Sequence, residues 1–469
     1  MCNIRHNEKE FGCAMLRFKQ LLSAIDMTQG PPWKTLLLFT LPLLVGNLFQ
    51  QLYSTVDAIM LGNFVGDYAL AAVGSTIPLF FLILLLMTGV AMGAGVMVSQ
   101  YFGAKQREEL SNTVGTCITL TAILGLLMMV LGPLLTRPLL VLLGTPPEVL
   151  DDSVIYMNVL LWGVLGMAYF NIFSGALRGM GDAFSPLLYL AFASLLNIAL
   201  NFLFIGILRW GVMGAAVGTV IAQAVTSLLC LRRLMQMRAV FDMSLRYLRP
   251  NRQYLIQMLK LGIPTGASQA IFALAMIAVQ PLANDFGPTF LATYVIVMRV
   301  DSFVMMPNFS FSNAMSVYAG QNMGAGRLER IGQGFKQCAL MALGTAVVLV
   351  AAILLFGSQI AGLFTQTQEV LAMTAQFLGI LAAGYIVFSI GAVGWGAIRG
   401  AGDAITPLWA SIIITLAVRI PTAYLFVHLI GKPIALAYSL LAAWTTNTLL
   451  AVIAYRIGKW RTMGIVKLS

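Results

Sequence analysis

The chain has 469 residues, of which 59% are hydrophobic and 10% are charged, and its formal net charge at pH 7 is +11. Because soluble domains average about 45–50% apolar and about 25% charged residues, this composition excludes an ordinary soluble protein. The apolar residues form long runs without period-2 alternation, so an outer-membrane β-barrel is excluded as well.

Twelve apolar runs follow a polar N-terminal stretch, which we interpret as a tail and not as a signal peptide. They lie at 36–60, 70–98, 113–136, 152–174, 184–207, 211–234, 257–282, 289–320, 336–357, 370–396, 405–429 and 433–455. Each is long enough to cross a bilayer, so we predict an all-α membrane protein with twelve transmembrane helices. The predicted segments are a cytoplasmic tail at 1–32, a six-helix lobe at 33–236, a cytoplasmic linker at 237–256, a second six-helix lobe at 257–457 and a cytoplasmic tail at 458–469.

Positive charge is distributed unevenly over the connectors between these helices. Of the 28 Lys and Arg residues, only Arg137, Arg209 and Lys432 lie in odd-numbered connectors. Because positive residues concentrate on the cytoplasmic side of a membrane, we predict that both termini are cytoplasmic and that the protein lies in the inner (plasma) membrane. The basic excess thus reflects topology, and we expect a monomer in the lipid bilayer without a nucleic-acid partner.

Two loops in the sequence are nearly identical. SGALRGMGDAFSP begins at Ser174 and WGAIRGAGDAITP begins at Trp395, and Gln100 and Gln321 recur at the same offset of 221 residues. Similarity at a fixed period indicates an internal duplication. Since each copy holds six predicted helices, the copies are parallel repeats related by an axis along the membrane normal.

The repeated loops lie between helices four and five and between helices ten and eleven. Their glycines and prolines are typical of tight turns. Each loop carries an Arg and an Asp, namely Arg178 and Asp182 in the first copy and Arg399 and Asp403 in the second. These residues either pair within the loop or hold neighbouring helix ends. Because both halves carry them, we interpret the loops as hinges of a shared scaffold, with a gating role as the alternative.

The sequence carries no motif of a membrane enzyme or of an ATP-driven pump. Its two histidines, His6 and His428, have no ligand partner nearby in sequence, and a phosphate-binding P-loop is absent. We therefore predict neither an enzyme nor a bound metal or cofactor. Two parallel six-helix halves that use an ion gradient describe a secondary transporter.

A family resemblance is carried by the two repeated loops, by LYSTVDAIMLGNFVGDYALAAVG (52–74) and by NIALNFLFIGILRWGVMGAA (197–216). These stretches resemble the multidrug and toxic compound extrusion (MATE) family, and the resemblance extends from about residue 27 to residue 460. It implies a V-shaped bundle of two lobes around a central cavity, and antiport of organic cations or drugs against H⁺ or Na⁺. The bacterial branch that the chain resembles has its coupling carboxylate on the first helix.

Asp57 lies within the first predicted span, and the second half has Ala278 or Val279 at the corresponding position. A carboxylate at membrane depth costs roughly 2.5–3.5 kcal/mol on insertion scales and needs a partner or a function. Desolvation favours the neutral carboxyl group, which suits a residue that loads and releases a proton. We predict that Asp57 couples ion exchange to transport, and a packing hydrogen bond between helices is the alternative.

Polar neighbours for Asp57 are predicted on helices five and six. Asn197 and Asn201 lie one turn apart and share a helix face, and Thr219 lies on the next helix. Their oxygens and the carboxylate could surround a proton or a hard cation, and plain hydrogen bonding between helices is the alternative. Family members that resemble this chain often carry an acid at the position of Asn201, so a site with two carboxylates is not expected here.

A second polar cluster is predicted in the other lobe, where Arg299 and Asp301 lie on helix eight and Arg419 on helix eleven. Asp301 either meets Arg419 or shares a cluster with Arg299, and the cluster is either a structural ion pair or a substrate or second ion site. Met298 is one of several methionines whose flexible thioethers suit a cavity for substrates of many shapes, with core packing as the alternative.

Three other functions stay open at this point. A lipid-linked oligosaccharide flippase of the related superfamily has an anionic substrate and needs several basic residues, whereas only Arg299 and Arg419 lie within spans. A passive channel would carry current without depending on Asp57. A membrane scaffold that transports nothing would not need Asp57 at all.

Overall fold

The structure is a computed structural model that describes residues 24–466, apart from the side chains of Ser54, Ala58 and Leu86. Its α-helices are α1 (Pro32–Phe64), α2 (Asp67–Gly103), α3 (Arg107–Leu142), α4 (Pro147–Trp162), α5 (Val164–Gly179), α6 (Phe184–Asn201), α7 (Gly211–Gln236), α8 (Arg252–Asp285), α9 (Gly287–Gly324), α10 (Leu328–Gly362), α11 (Gln368–Gly400), α12 (Ile405–Ile412), α13 (Ile420–Ile430) and α14 (Ala435–Ile457). Most of the predicted N-terminal tail and the last three residues of the C-terminal tail lie outside the described residues.

Two π-helical segments extend these helices within the described residues. Phe202–Ile207 continues α6, and Ile413–Arg419 joins α12 to α13. Eleven of the described helical stretches are long and apolar enough to cross a membrane, and α4 with α5 makes a twelfth when the bent pair is counted as one span. The predicted all-α membrane class is thereby confirmed, and the twelve apolar runs coincide with these helices, with the largest difference at the start of α10, which begins at Leu328 whereas the run begins at residue 336.

The fourth predicted span is bent. α4 and α5 meet at Gly163, and the pair is bent by 50°. A Cβ atom at Gly163 would lie 2.2 Å from the Val220 side chain, so glycine is what lets α7 approach the junction this closely. The apolar run at 152–174 therefore predicts the crossing and neither the bend nor the close approach of α7 to it.

The chain forms two compact units. The first unit contains residues 24–29 and Leu41–Leu255, and the second unit contains Gly30–Thr40 and residues 256–466. The first turns of α1 thus belong to the second unit. There the backbone N–H of Trp33 donates to Gln337 Oε1 at 2.7 Å, and Arg330 donates to the carbonyl of Gly30 at 3.0 Å.

The first unit is held together by α5, which packs against α2 and α7, and by α3 and α4, which pack against α2. The Ser153 hydroxyl on α4 donates to the carbonyl of Ala72 on α2 at 3.0 Å. Lipid tails are as apolar as the helix surfaces, so close packing and hydrogen bonds of this kind contribute more to helix association than the hydrophobic effect does.

The second unit is built around α11, which packs against α9, α10 and α14. The Ser312 hydroxyl on α9 donates to the carbonyl of Ala392 at 2.6 Å, and the Thr448 hydroxyl on α14 donates to the carbonyl of Val387 at 2.8 Å. Its core is rich in buried aromatic side chains, namely Phe290, Phe377, Tyr385 and Trp444.

The linker between α7 and α8 runs along the start of α3. The backbone N–H of Asp242 donates to the Ser111 hydroxyl at 2.8 Å. A Cβ atom at Gly115 would lie only 2.0 Å from the carbonyl oxygen of Tyr247. The missing side chain of Gly115 is therefore what allows the linker backbone to lie against α3.

Candidate functional site

Asp57 is half-buried on α1, seven residues before the end of that helix. The side-chain amide of Asn201 donates a hydrogen bond to Asp57 Oδ1. Asn201 is fully buried and is the last residue of α6, directly before the π-helical segment. Segments of this kind are frequent at functional sites, and this one follows the residue that contacts the carboxylate.

A chain of polar side chains continues from Asn201 into the first unit. Its amide also donates to Asn197 Oδ1 at 2.9 Å, and Asn197 donates to the Thr219 hydroxyl at 3.4 Å. The Tyr53 hydroxyl donates to the same Thr219 oxygen at 3.0 Å. The structure thus brings together all four residues that the sequence placed in the ion-coupling site.

The Asn197 amide has a second orientation that joins it to the carboxylate directly. With the amide turned by 180°, its nitrogen donates to Asp57 Oδ1 at 2.8 Å and its oxygen accepts from the backbone N–H of Thr219 at 3.2 Å. In either orientation, Asn197 and Asn201 connect Asp57 to α7. The carboxylate is therefore surrounded by amide and hydroxyl groups from three helices.

Two tyrosines near Asp57 were not predicted from the sequence. Tyr53 lies one turn before Asp57 on α1, so the spacing of four residues in YSTVD is a signal that could have identified it. Tyr156 on α4 lies close enough to Asp57 for an electrostatic interaction. No local pattern connects residues 57 and 156, so only the packing of α4 in the first unit could reveal this neighbour.

Within residues 24–466, the charge of Asp57 is not balanced by a basic side chain. Among the described residues, no Lys or Arg forms an ion pair with it within 4.0 Å. Asn201 Oδ1 is buried and has no hydrogen-bond partner in the part of the chain that the structure describes. A buried acceptor without a donor costs free energy unless a water molecule or an ion completes it. The site therefore offers an uncompensated carboxylate and a free oxygen to a proton or a small cation.

The second predicted cluster lies in the second unit and has a different character. Arg419, at the end of the π-helical segment after α12, is buried and donates to the Ser439 hydroxyl at 3.2 Å. It is close enough to Asp301 for an electrostatic interaction, although no nitrogen–oxygen pair between them is within 4.0 Å. Tyr385 lies beside Asp301, but within the described residues neither its hydroxyl nor Asp301 Oδ1 has a hydrogen-bond partner at ordinary distance.

Of the two partners predicted for Asp301, the structure brings Arg419 near and not Arg299. Arg299 is exposed. It lies two residues before Asp301 on the same helix, and residues two apart on a helix point to different sides. Pro307 lies inside α9 without ending it, so the helix keeps the two side chains apart. Met298 is half-buried and packs against the apolar core of the second unit.

In the first repeated loop, Asp182 holds two helix ends. It accepts from the backbone N–H and the hydroxyl of Ser185 at 2.9 and 2.8 Å, and it forms an ion pair with Arg233 at 2.8 Å. Arg178 instead donates to Ser174 at 3.4 Å. Asp182 therefore does not pair with Arg178 within the loop but holds neighbouring helix ends, because it connects the start of α6 to the end of α7.

The second repeated loop has the same cap without that ion pair. Asp403 accepts from the backbone N–H and the hydroxyl of Thr406 at 2.9 and 2.6 Å. Arg399 donates to Ser312 on α9 at 2.8 Å. The last Gly of each loop has a left-handed backbone, with φ of +90° at Gly181 and +104° at Gly402, a conformation that glycine adopts without a steric penalty.

The comparisons with known proteins agree with this architecture. The sequence model of the MatE family matches residues 42–203 and again residues 264–425, so that it covers most of the chain in two separate halves. The chain belongs to the MATE family. Both ends of the second match lie 222 residues after those of the first, one residue more than the offset between the two repeated loops.

Relatives of this MATE protein include multidrug resistance proteins over nearly their whole length. The probable multidrug resistance protein YoeA of Bacillus subtilis (strain 168) is 32% identical over 425 residues, which are 87% of this chain and 92% of YoeA. The probable multidrug resistance protein YpnP of the same organism is 30% identical over 445 residues, 94% of this chain and 99% of YpnP.

Solved MATE structures share the fold. One is described as the outward-facing conformation of a multidrug resistance MATE family transporter of the MOP superfamily. It has a TM-score of 0.87 and 26% identity, and the match covers 93% of this chain and 97% of that one. This MATE protein is therefore a multi-pass membrane transporter related to multidrug exporters.

Proposed function

We propose that this MATE protein exports organic cations or amphipathic drugs by antiport against H⁺ or Na⁺, and that the ion is exchanged at Asp57. The names of its relatives support multidrug efflux. The observation that carries the coupling proposal is a half-buried carboxylate on α1 that has amide neighbours and no basic partner within the described residues.

Antiport requires a group whose charge changes when the ion binds. Asp57 loses its negative charge when it takes up a proton, and its charge is neutralised when Na⁺ binds. The amides of Asn197 and Asn201 and the hydroxyl of Thr219 can both donate and accept hydrogen bonds, so they can bind Asp57 in its charged form and in its neutralised form. Because the two ligands bind in alternation, an organic cation is released when the ion occupies the carboxylate.

We assign supporting roles to the other predicted residues. Arg419 balances the charge of Asp301, so we propose that this pair orients polar groups in the second unit and does not exchange the coupling ion. We propose that Arg178, Asp182, Arg399 and Asp403 belong to the scaffold, since their contacts tie helix ends together. We further propose a monomer in the plasma membrane with both termini in the cytoplasm.

The test uses purified protein in liposomes that contain a fluorescent organic cation such as ethidium, with a pH gradient or a Na⁺ gradient imposed separately. We expect one of the two gradients to drive dye movement. Asp57→Asn should abolish this movement without loss of folded protein, because the amide keeps the shape of the carboxyl but cannot change its charge. The coupling proposal is wrong if neither gradient moves dye in the wild type.

Asp301→Asn is the matched control, because it makes the same change at the acid of the second polar cluster, near Arg419. We expect this variant to keep movement driven by the same gradient. If Asp57→Asn transports at the wild-type rate and Asp301→Asn does not, ion exchange occurs at Asp301 and our assignment is wrong.

A further inference from the structure

A cavity of about 380 Å³ lies in the first unit, away from Asp57. Three separate segments line it. They are residues 26 and 28 before α1, residues 101–110 around the turn between α2 and α3, and residues 239 and 240 of the linker. All three segments are even-numbered connectors or lie next to the N-terminus, so the cavity belongs to the face that carries the excess of Lys and Arg.

The acidic side chain in the cavity wall already has hydrogen-bond partners. Asp26 accepts from the backbone N–H and the hydroxyl of Thr28 at 2.9 and 2.6 Å, and from the amide of Gln29 at 3.0 Å. The acids in the first turn of α3 also have partners, since Glu109 accepts from Tyr254 and Glu108 lies 3.9 Å from Arg246.

The two basic side chains in the wall keep hydrogen-bonding capacity. Lys105 is exposed, and among the described residues its side-chain ammonium group has no ion pair or hydrogen bond. Arg107 uses one nitrogen to donate to the carbonyl of Arg238 at 2.8 Å and forms no ion pair in the described part of the chain. With two cations and one acid in the wall, the charge of the lining side chains is positive.

We propose that this cavity binds the phosphate group of an anionic ligand through Lys105 and Arg107. Guanidinium and ammonium groups both bind phosphate oxygens, the guanidinium with two parallel donors. An anionic phospholipid headgroup is one source, because basic pockets on the cytoplasmic side bind such headgroups, and free phosphate is the other. A bound phosphate would hold the segment before α1, the α2–α3 turn and the linker together, independently of the transport proposal.

The experiment measures binding to the purified, delipidated full-length protein in detergent by calorimetry. The probes are short-chain dihexanoyl phosphatidylglycerol, dihexanoyl phosphatidylcholine and inorganic phosphate. We expect saturable binding of phosphatidylglycerol and none of phosphatidylcholine. If inorganic phosphate binds as tightly as phosphatidylglycerol and displaces it, the phosphate chemistry is supported and the natural ligand is soluble.

The test variant is Lys105→Asn with Arg107→Gln. Lys105 has a φ of +57°, and Asn tolerates this conformation better than most residues. Gln at position 107 removes the positive charge and keeps a polar side chain. We expect the dissociation constant to rise about tenfold or more in the double variant, and about three- to fivefold for Lys105→Asn alone.

The matched control is Arg209→Asn with Lys336→Gln. Arg209 is an exposed cation with a φ of +55°, and Lys336 is an exposed cation in the second unit, so the control removes the same charge outside the cavity. We expect it to bind like the wild type. The proposal is overturned if the wild type shows no saturable binding of either phosphate probe, if the folded test variants bind like the wild type, or if the control weakens binding equally.

Discussion

At the scale of single residues, the carboxylates of this protein differ in what balances their charge. Asp182 forms an ion pair with Arg233, and Asp301 lies near Arg419. Asp57 has amides and tyrosines around it and, among the described residues, no ion pair. A carboxylate in this setting responds to a single added proton or cation, because no fixed positive charge competes with it. This difference in neighbours is why we assign ion exchange to Asp57.

Tyr53→Phe tests the polar chain around Asp57. It keeps the ring but removes the hydroxyl that donates to Thr219. A hydrogen bond of this kind contributes about 1 kcal/mol, so we expect the ion concentration for half-maximal dye efflux to change about fivefold. The measurement is efflux from liposomes at a series of ion concentrations.

Tyr68→Phe serves as the control for Tyr53→Phe, since Tyr68 is strongly exposed on α2. We expect it to leave the ion dependence unchanged. Equal ion dependence in the two variants and the wild type would place Tyr53 outside the coupling network.

At the scale of elements, the two repeated loops share the same helix cap but differ in the contacts that surround it. In both, the Asp accepts from the backbone N–H three residues later and so satisfies a donor at the start of the next helix. The copies differ because Arg233 in the last turn of α7 reaches Asp182, whereas Asp403 forms no ion pair in the described part of the chain. The repeat preserves the turn, and each unit adds its own contact to it.

Asp182→Ala and Asp403→Ala separate the cap from the ion pair. Asp403→Ala removes a cap and should lower the free energy of unfolding by about 1 kcal/mol. Asp182→Ala also removes the ion pair of the buried carboxylate with Arg233, so we expect a loss of about 3 kcal/mol. Thermal unfolding in detergent measures both.

The same two variants test the scaffold role of the loops. Transport assays with several dyes should show slower efflux and an unchanged order of preference among substrates. Equal thermal shifts in both variants would mean that the ion pair with Arg233 adds no stability, and a switch of substrate preference at normal protein yield would contradict the scaffold role of these loops.

Gly115→Ala tests how the linker is held. The new methyl group would lie 2.0 Å from the carbonyl oxygen of Tyr247, so the linker must move at a cost of about 1–3 kcal/mol. We expect faster trypsin cleavage at the linker arginines Arg246, Arg249 and Arg252. Gly344→Ala on α10 is the control, because a Cβ atom there has no neighbour within 4 Å. Unchanged cleavage in Gly115→Ala would mean that other contacts hold the linker.

At the scale of the whole molecule, contacts within each unit join segments that are predicted to lie on the same side of the membrane. In the first unit, the backbone N–H of Ile25 donates to the carbonyl of Gly181 at 3.0 Å, which joins the segment before α1 to the loop between the fourth and fifth spans. In the second unit, Arg330 reaches Gly30. Such contacts are possible because an even number of membrane crossings separates the two joined segments, which therefore lie at the same face.

Reporter fusions test which side these connectors face. Because Lys and Arg are concentrated in them, we expect a fluorescent protein that folds only in the cytoplasm to light up at either terminus. A fusion truncated after Arg209 should stay dark, since this residue lies in an odd-numbered connector. Bright fluorescence only from the fusion at Arg209 would reverse the proposed orientation.

The sequence by itself determined the membrane class, the twelve spans, the duplication and Asp57 as an intramembrane acid without a counterpart. These properties are local or periodic, because a run of apolar residues crosses a bilayer whatever it packs against. Helix periodicity also puts Asn197 and Asn201 on one helix face, with Thr219 on the next helix, whereas their approach to Asp57 on α1 depends on how these helices pack.

Only the tertiary structure decided which groups touch. Val220 packs against the bend at Gly163, the partner of Asp182 is Arg233, and Tyr156 approaches Asp57 from α4. In each case the two residues are far apart in the chain, and their contact depends on how whole helices pack. Packing is set by the sum of many weak contacts along each helix, which no short stretch of sequence contains.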